Sequence, residues 1–369
     1  MRTVNQRTAR TIADGGFNTA WVFDLMYDGD RRLANVGIEN GPSLAWDGGQ
    51  FVTASGNARV VWSDDHATSL IPRQVGDWFS PFGAEMQVDC LIGGGVFTER
   101  IPMSRLVVTD VPNATEARML WEGRLIHPGE AFTVTLKDRL AKIQRDDFPF
   151  PTAPQSTSAW GEIQSITGMP VIRNTPDATL PTIAYEGSRE DALKALFDVL
   201  DAWPHMESSG ALTSRPKTWS VPVGELVNVT AAPPSMTSEY TYNRVVVVGK
   251  SPDGDPLYGV RSVNDGFLRA QNPDGTQSPF GGSTYRYSDN LGVLDTQAKV
   301  DAYANELLPR VARIRSVTRE VSEMFNPLRE VGDVLTFRDG RRYGPAPVRV
   351  QRVSHAGAIT NLTVEVPDA

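Results

Sequence analysis

The chain has 369 residues, a formal net charge of −8 and one cysteine. The length allows two or three domains. The acidic balance argues against a dedicated nucleic-acid binder, and a lone cysteine excludes both an intrachain disulfide framework and a cysteine-based metal site. The 32 glycines and 26 prolines favour many short strands over long helices. Met1 to Arg10 is polar and basic with no apolar segment after it, and no run approaches the ~18 apolar residues of a membrane span. Synthesis in a cytoplasm without stable membrane insertion is the expectation.

Residues 1–16 read as a polar arm that an assembly would order. Residues 17–147 carry a β signal. Ala20 to Tyr27 is a strand stopped by Asp28-Gly29. Ser43 to Trp46 and Gln50 to Thr53 flank Asp47-Gly48-Gly49, a hairpin signature. Arg59 to Trp62, Glu85 to Ile92, Val96 to Ile101, Arg105 to Thr109, Met119 to Ile126 and Ala131 to Leu136 follow. Strands at this spacing imply an antiparallel barrel or sandwich. Lys137 to Arg145 predicts one or two helical turns, and Phe148 to Ser158 is Pro/Ser-rich and marks a domain boundary.

Residues 148–240 read as an α+β middle domain. Ser188-Arg-Glu-Asp191 has the form of a capping box, and Ala192, Leu193, Leu196 and Phe197 share a helix face. Residues 241–369 form the last domain. Tyr242 to Gly249 is a buried strand, Ser251 to Pro256 a turn, and Leu257 to Val260 its return. Asn264 to Gly282 is a long loop. Asp295 is placed to cap a second helix, which Pro309 kinks or ends near Leu308. Segments 316–324, 332–337, 348–353 and 362–366 complete a small β unit. The fold class expected is mainly β with α+β parts: two β-barrel-like domains, linked by α+β segments, with two main helices.

No constellation carries chemistry. The adjacent carboxylates Asp64-Asp65, Asp146-Asp147 and Glu190-Asp191 read as solvated turns, a linker and a helix cap. His66, His127, His205 and His355 are far apart, and no His-x-x-x-His, Cys-x-x-Cys or calcium loop occurs. His127 stands before Pro128-Gly129, at a turn. There is no Gly-x-Ser-x-Gly. Cys90 reads as a buried small hydrophobe. Gly93-Gly94-Gly95 leads into a strand rather than a helix, so it is a hairpin tip and not a phosphate loop. Trp21, Trp46, Trp62 and Trp121 read as core. Trp78, within Gly76 to Pro81, is the better candidate for a contact surface. No catalytic residue, metal or cofactor is expected.

Four stretches in order resemble the minor tail proteins of actinobacteria-infecting siphophages, a family related to tail and baseplate hubs. They are Phe97 to Asp110, Ala131 to Leu140 with Ile143 to Phe148, Tyr242 to Gly249, and Gln297 to Leu308 followed by Val317 to Met324, Asn326-Pro-Leu328 and Val331-Gly-Asp-Val334. The likeness spans about residues 18–366. Ser104 stands where the family often has glycine, Pro309 falls inside the usual helix, and the 93–95 tip is atypical. The resemblance implies a non-enzymatic virion protein at the tail tip, a homotrimer whose barrels ring the lumen. It also implies contacts with the distal tail protein, the tape measure protein C-terminus and other tip or fibre proteins, with genomic DNA met only in transit. The chain ends at Ala369, just after the hub pattern, so no enzymatic extension is expected. A distal tail ring protein and a cell-wall-binding or cell-wall-hydrolysing tail protein are the alternatives. The candidate lumen or assembly contacts are Gly93, Gly94, Gly95, Val96 and Phe97 at the tip, Trp78 and Phe79 in the 76–82 loop, and the 264–282 loop.

Overall fold

A computed structural model describes residues 1–64, 69–180, 184–233, 238, 241–290, 292–312, 318–338 and 345–366, with backbone alone at 64, 118, 121 and 124–128. Strands hold 42% of the chain and helices 14%, so the fold is mainly β with α+β parts.

The N-terminal elements are α1 (Gln6–Asp14), β1 (Asn18–Tyr27), β2 (Asp30–Leu33), β3 (Ser43–Asp47) and β4 (Ala54–Asp64). Then come β5 (Ala84–Gly93), β6 (Thr98–Asp110), β7 (Ala114–Trp121), β8 (Arg124–Lys137) and the single turn α2 (Leu140–Ile143). The middle of the chain holds α3 (Ala159–Thr167), α4 (Arg189–Val199), β9 (Ala202–Met206), β10 (Leu212–Pro216), β11 (Gly224–Glu225) and β12 (Val229–Ala231). The remainder is β13 (Arg244–Lys250), β14 (Pro256–Ser262), β15 (Thr284–Ser288), α5 (Gln297–Val311), β16 (Thr318–Met324), β17 (Val334–Phe337), β18 (Ala346–Ala356) and β19 (Ile359–Glu365).

One sheet joins the two ends of the chain. Its strand path is β12-β16-β19-β18-β3-β4-β8-β6-β5-β1-β2, with β7 against β8 and β17 between β11 and β18. The seam is the antiparallel pair of β18 with β3, where Val353 faces Trp46 and His355 faces Leu44. Alternation drives burial. Phe132, Val134 and Leu136 of β8 are buried while Thr133 and Thr135 are half exposed. These side chains share one core with Phe23, Val88, Leu106, Val353 and Leu362. A second core gathers Leu140, Trp160, Ile163, Leu193, Phe197 and Leu212. A third lies between α5 and the sheet β14-β13-β15, around Val245, Val247, Val300 and Ala304. Residues 241–369 are therefore not one unit. The segment to Val311 has its own core, and residues 318–366 complete the first β core.

Of the five described helices, α4 and α5 are the two main ones expected and α2 is the helical turn expected within Lys137 to Arg145, while α1 and α3 are additional. Residues 1–16 are not a loose arm. Asn5 caps α1, and Ile12 is buried. Arg2 donates to the carbonyls of Pro327, Arg329 and Met103 at 2.8–3.0 Å. Helix α3 follows directly on the Pro/Ser-rich boundary, because Ser158 accepts from Gly161 N and Glu162 accepts from Gln155 N and Ser156 N. Thr296 rather than Asp295 caps α5, and Asp295 instead pairs with Lys299 at 2.8 Å. Helix α5 runs through Pro309, which lies in its last turn, where a missing N–H removes one bond near an end.

Other boundaries differ for local reasons. Gln50 to Thr53 is not a strand, because Phe51 turns into the second core. Phe97 to Asp110 is not strand, turn and strand. Thr98–Asp110 is one strand with a bulge, where Val88 faces Ser104 and Asp89 faces Pro102. A bulge is a position where a strand tolerates proline. The 119–126 strand is broken by a two-residue turn at Glu122 and Gly123, both at positive φ (49° and 76°), as a type I′ hairpin requires. His127 thereby falls within β8 and not at a turn.

Cys90 is buried in β5, and burial raises its thiol to about 12. We expect no reaction with an aromatic disulfide reagent in the native protein, and one thiol per chain in denaturant. Fast native labelling at neutral pH would contradict this packing.

Candidate interaction surfaces

The glycine tip joins β5 to β6 beside the start of β1, with Asn18 opposite Gly93. Gly94 N donates to Phe97 O at 3.0 Å, and Gly95 has φ 69°. A side chain at Gly94 would begin 2.3 Å from the Phe97 ring, so the tip needs glycine there. Val96 is 89% exposed. Phe97 is half-buried beneath the Arg7 guanidinium, 4.2 Å from its ring centre. Helix α1 also supplies Thr8, which donates to Glu99 at 3.1 Å. The tip is thus a propped projection that offers Val96 to solvent.

The 76–82 loop divides its two candidates. Trp78 is 37% exposed, whereas Phe79 is wholly buried, edge-on to Phe132 at 5.0 Å. Phe79 is therefore a core residue and not a contact. Val75 and Phe82 of the same stretch of chain are exposed too. Phe82 was legible only as an aromatic between Pro81 and Gly83. Arg32 ties this loop to the β1–β2 turn: its guanidinium lies 3.8 Å from the Tyr27 ring centre and donates to Gly76 O at 3.4 Å.

An open cleft adjoins this loop, lined by Tyr27, Asp28, Gly83, Glu85, Arg139 and Lys142. Glu85 is buried at its floor. It accepts from Arg105 at 2.7 Å, from Arg139 at 2.8 and 3.1 Å, and from Lys142 at 2.8 Å. Burial works against its charge, but Arg139 and Lys142 hold it down to about 2. Three cations converge on one carboxylate, and the Arg105 Nη2 is buried without a hydrogen-bond partner. Donors outnumber acceptors here.

The 264–282 loop exposes Phe267 at 92%. Its far half is folded: Gln271 bridges Gln277, and Asp274 accepts from Thr276. Other exposed apolar side chains had no sequence signal strong enough to single them out. They include Leu120 on the β7–β8 hairpin and Val221 before β11.

The groups weighed for chemistry are held structurally. Asp146 pairs with Arg189, Glu190 with Lys194, and Ser188 accepts from Asp191 N. Asp65 and His66 lie outside the described residues, as does the side chain of His127. His205 and His355 are buried, and burial lowers both to about 3. Among the described residues no three metal-ligating side chains converge, and no helix is long and apolar enough to cross a membrane.

No protein-family model and no curated protein sequence matches the chain. Solved structures do. The tail protein from Neisseria meningitidis MC58 superposes with a TM-score of 0.58 at 12% identity, over 94% of this chain and 97% of that one. The 43 kDa tail protein of prophage MuSo2 from Shewanella oneidensis gives 0.53 at 10% identity, over 94% and 98%. At such identities the likeness is one of fold, and from end to end the chain has the fold of these phage tail proteins.

Proposed function

We propose that the chain is a structural component of a phage tail: a hub at the tail tip, built as a homotrimer that lines or closes the lumen. The observation that carries this reading is the end-to-end likeness to prophage tail proteins, which leaves almost no part of either chain unmatched. The four ordered sequence stretches support the finer placement, including kinship with siphophages of actinobacteria. In this role the chain joins the distal tail protein and the tape measure C-terminus to tip or fibre proteins. It meets DNA only in transit, and its net charge of −8 suits a conduit that must not retain DNA. It performs no catalysis of its own.

Native mass spectrometry of the purified chain is expected to give a trimer, and a cell-wall zymogram no clearing. A hexameric ring would favour a distal tail protein, and a clearing band abolished by one carboxylate substitution would favour a hydrolase. Deleting Gly93, Gly94 and Gly95 should leave the isolated chain folded, since none of residues 93–97 belongs to any of the three cores. In virions the deletion should impair tail assembly or DNA retention. Normal plating with the deleted gene would count against a contact role for the tip.

A further inference from the structure

The glycine tip has little of its own to hold it in place. The β5–β6 ladder ends at the Gly93–Thr98 pair, and residues 94–97 lie beyond it, outside all three cores. Gly94 N donates to Phe97 O at 3.0 Å and Val96 N to Gly94 O at 2.9 Å. The other contacts come from α1. The Arg7 guanidinium lies 4.2 Å from the Phe97 ring centre. Asn5 and Thr8 both donate to Glu99, on the strand that leaves the tip.

Helix α1 depends on anchors in turn. A helix of nine residues is marginal in water on its own. Its buried side chains are Thr8 and Ile12. The anchors lie mostly on the C-terminal side of the long sheet. Arg2 N donates to Leu328 O at 2.9 Å, and its guanidinium donates to Pro327 O and Arg329 O at 2.8 and 2.9 Å. Asn228, just before β12, donates to Ala13 O at 2.9 Å. A Cβ at Gly15 would begin 3.0 Å from the Met324 methyl. Met103 O of β6 is the N-terminal counterpart, 3.0 Å from Arg2. Residues 2–15 thus run from the 324–329 segment to the β5–β6 hairpin.

We infer that α1 is a latch. It holds the tip in its projecting posture, and the 324–329 segment together with Asn228 holds α1. Displacing those anchors releases Arg7 from Phe97 and lets Val96 move. Coupling of this kind is reciprocal, so a partner that binds only the displaced tip would loosen α1. The latch is a matter of this chain's own contacts and does not depend on the hub reading.

The test uses the full chain with Val96→Cys carrying a nitroxide. Val96 is 89% exposed and Cys90 is buried, so the label goes to position 96. Hydrogen exchange of the unlabelled chain reads the same region. Arg7→Ala removes the strut. Arg2→Ala and Asn228→Ala each remove an anchor, and neither residue touches the tip. All three variants should narrow the nitroxide lines and speed exchange at residues 94–97 about tenfold or more. The two anchor variants should speed exchange at residues 6–14 as well. Circular dichroism melting checks folding. Arg2→Ala also takes a cation from beside Glu330, so Asn228→Ala alone decides if that variant fails to fold. A tip that stays ordered when α1 loosens, or an α1 that stays protected without its anchor, overturns the latch. A tip already mobile in the wild-type chain overturns it too.

Discussion

Replacing Arg329 by methionine is expected to destabilise the fold by about 3–5 kcal/mol. Arg329 and Glu323 are both buried, at 3% and 1% side-chain exposure. The guanidinium donates to both carboxylate oxygens, at 2.7 and 2.9 Å, and to Glu225 O at 2.9 Å. Burial raises Glu323 despite this pairing, so without Arg329 the carboxyl takes up a proton or unfolds its surroundings. The pair sits where β16 meets β12, at the end of the long sheet. Adding Glu323→Leu to Arg329→Met should recover most of the loss, because two buried charges replaced together leave no orphan. Urea titration of both variants checks the pair. Equal stability of the single and double variants would contradict it.

Acidification from pH 7 to pH 5 is expected to remove about 4 kcal/mol through His205 and His355. Burial holds both to about 3 in the native chain, against 6.5 for an ordinary histidine. The unfolded chain therefore binds two protons that the folded chain refuses, and stability present above pH 6.5 is lost as pH falls toward 3. Asp138 acts in the opposite sense. Burial raises it to about 6, so stability rises as pH falls from 6 toward 3.8, which offsets part of the loss. His355 packs among Trp21, Trp46 and Phe325 at the seam between the N-terminal and C-terminal strands. Its Nδ1 meets the Thr360 hydroxyl at 3.0 Å, and its Nε2 has no partner. His355→Phe should keep the aromatic cluster and flatten the stability–pH curve below pH 6.5. An unchanged slope, from denaturant midpoints at pH 5, 6 and 7, would contradict a buried neutral histidine.

Much of the fold was legible because it follows from alternation and capping. Strands β8 and β13 carry the period-two burial of a sheet with one face on a core, and Ser188 announces α4. What was not legible depends on distant partners. Helix α1 looked like a polar arm because the groups that receive Arg2 lie some 100 to 330 positions away, at Met103, Pro327 and Arg329. Residues 241–369 failed as one unit for the same reason: nothing local shows that β18 hydrogen-bonds to β3. Phe79 and Trp78 are neighbours in a loop, and only the position of Phe132 decides which of them is inside. The cleft at Glu85 unites residues from three separate segments, around 28, 84 and 140, so no spacing could reveal it.

A cryo-EM map of the intact virion tail most directly tests the structural role. This chain is expected at the tail tip, in three copies around the lumen, with density for the distal tail protein on one side and for tip or fibre proteins on the other. A map that places it in six copies along the tube, or away from the tail axis, would contradict it.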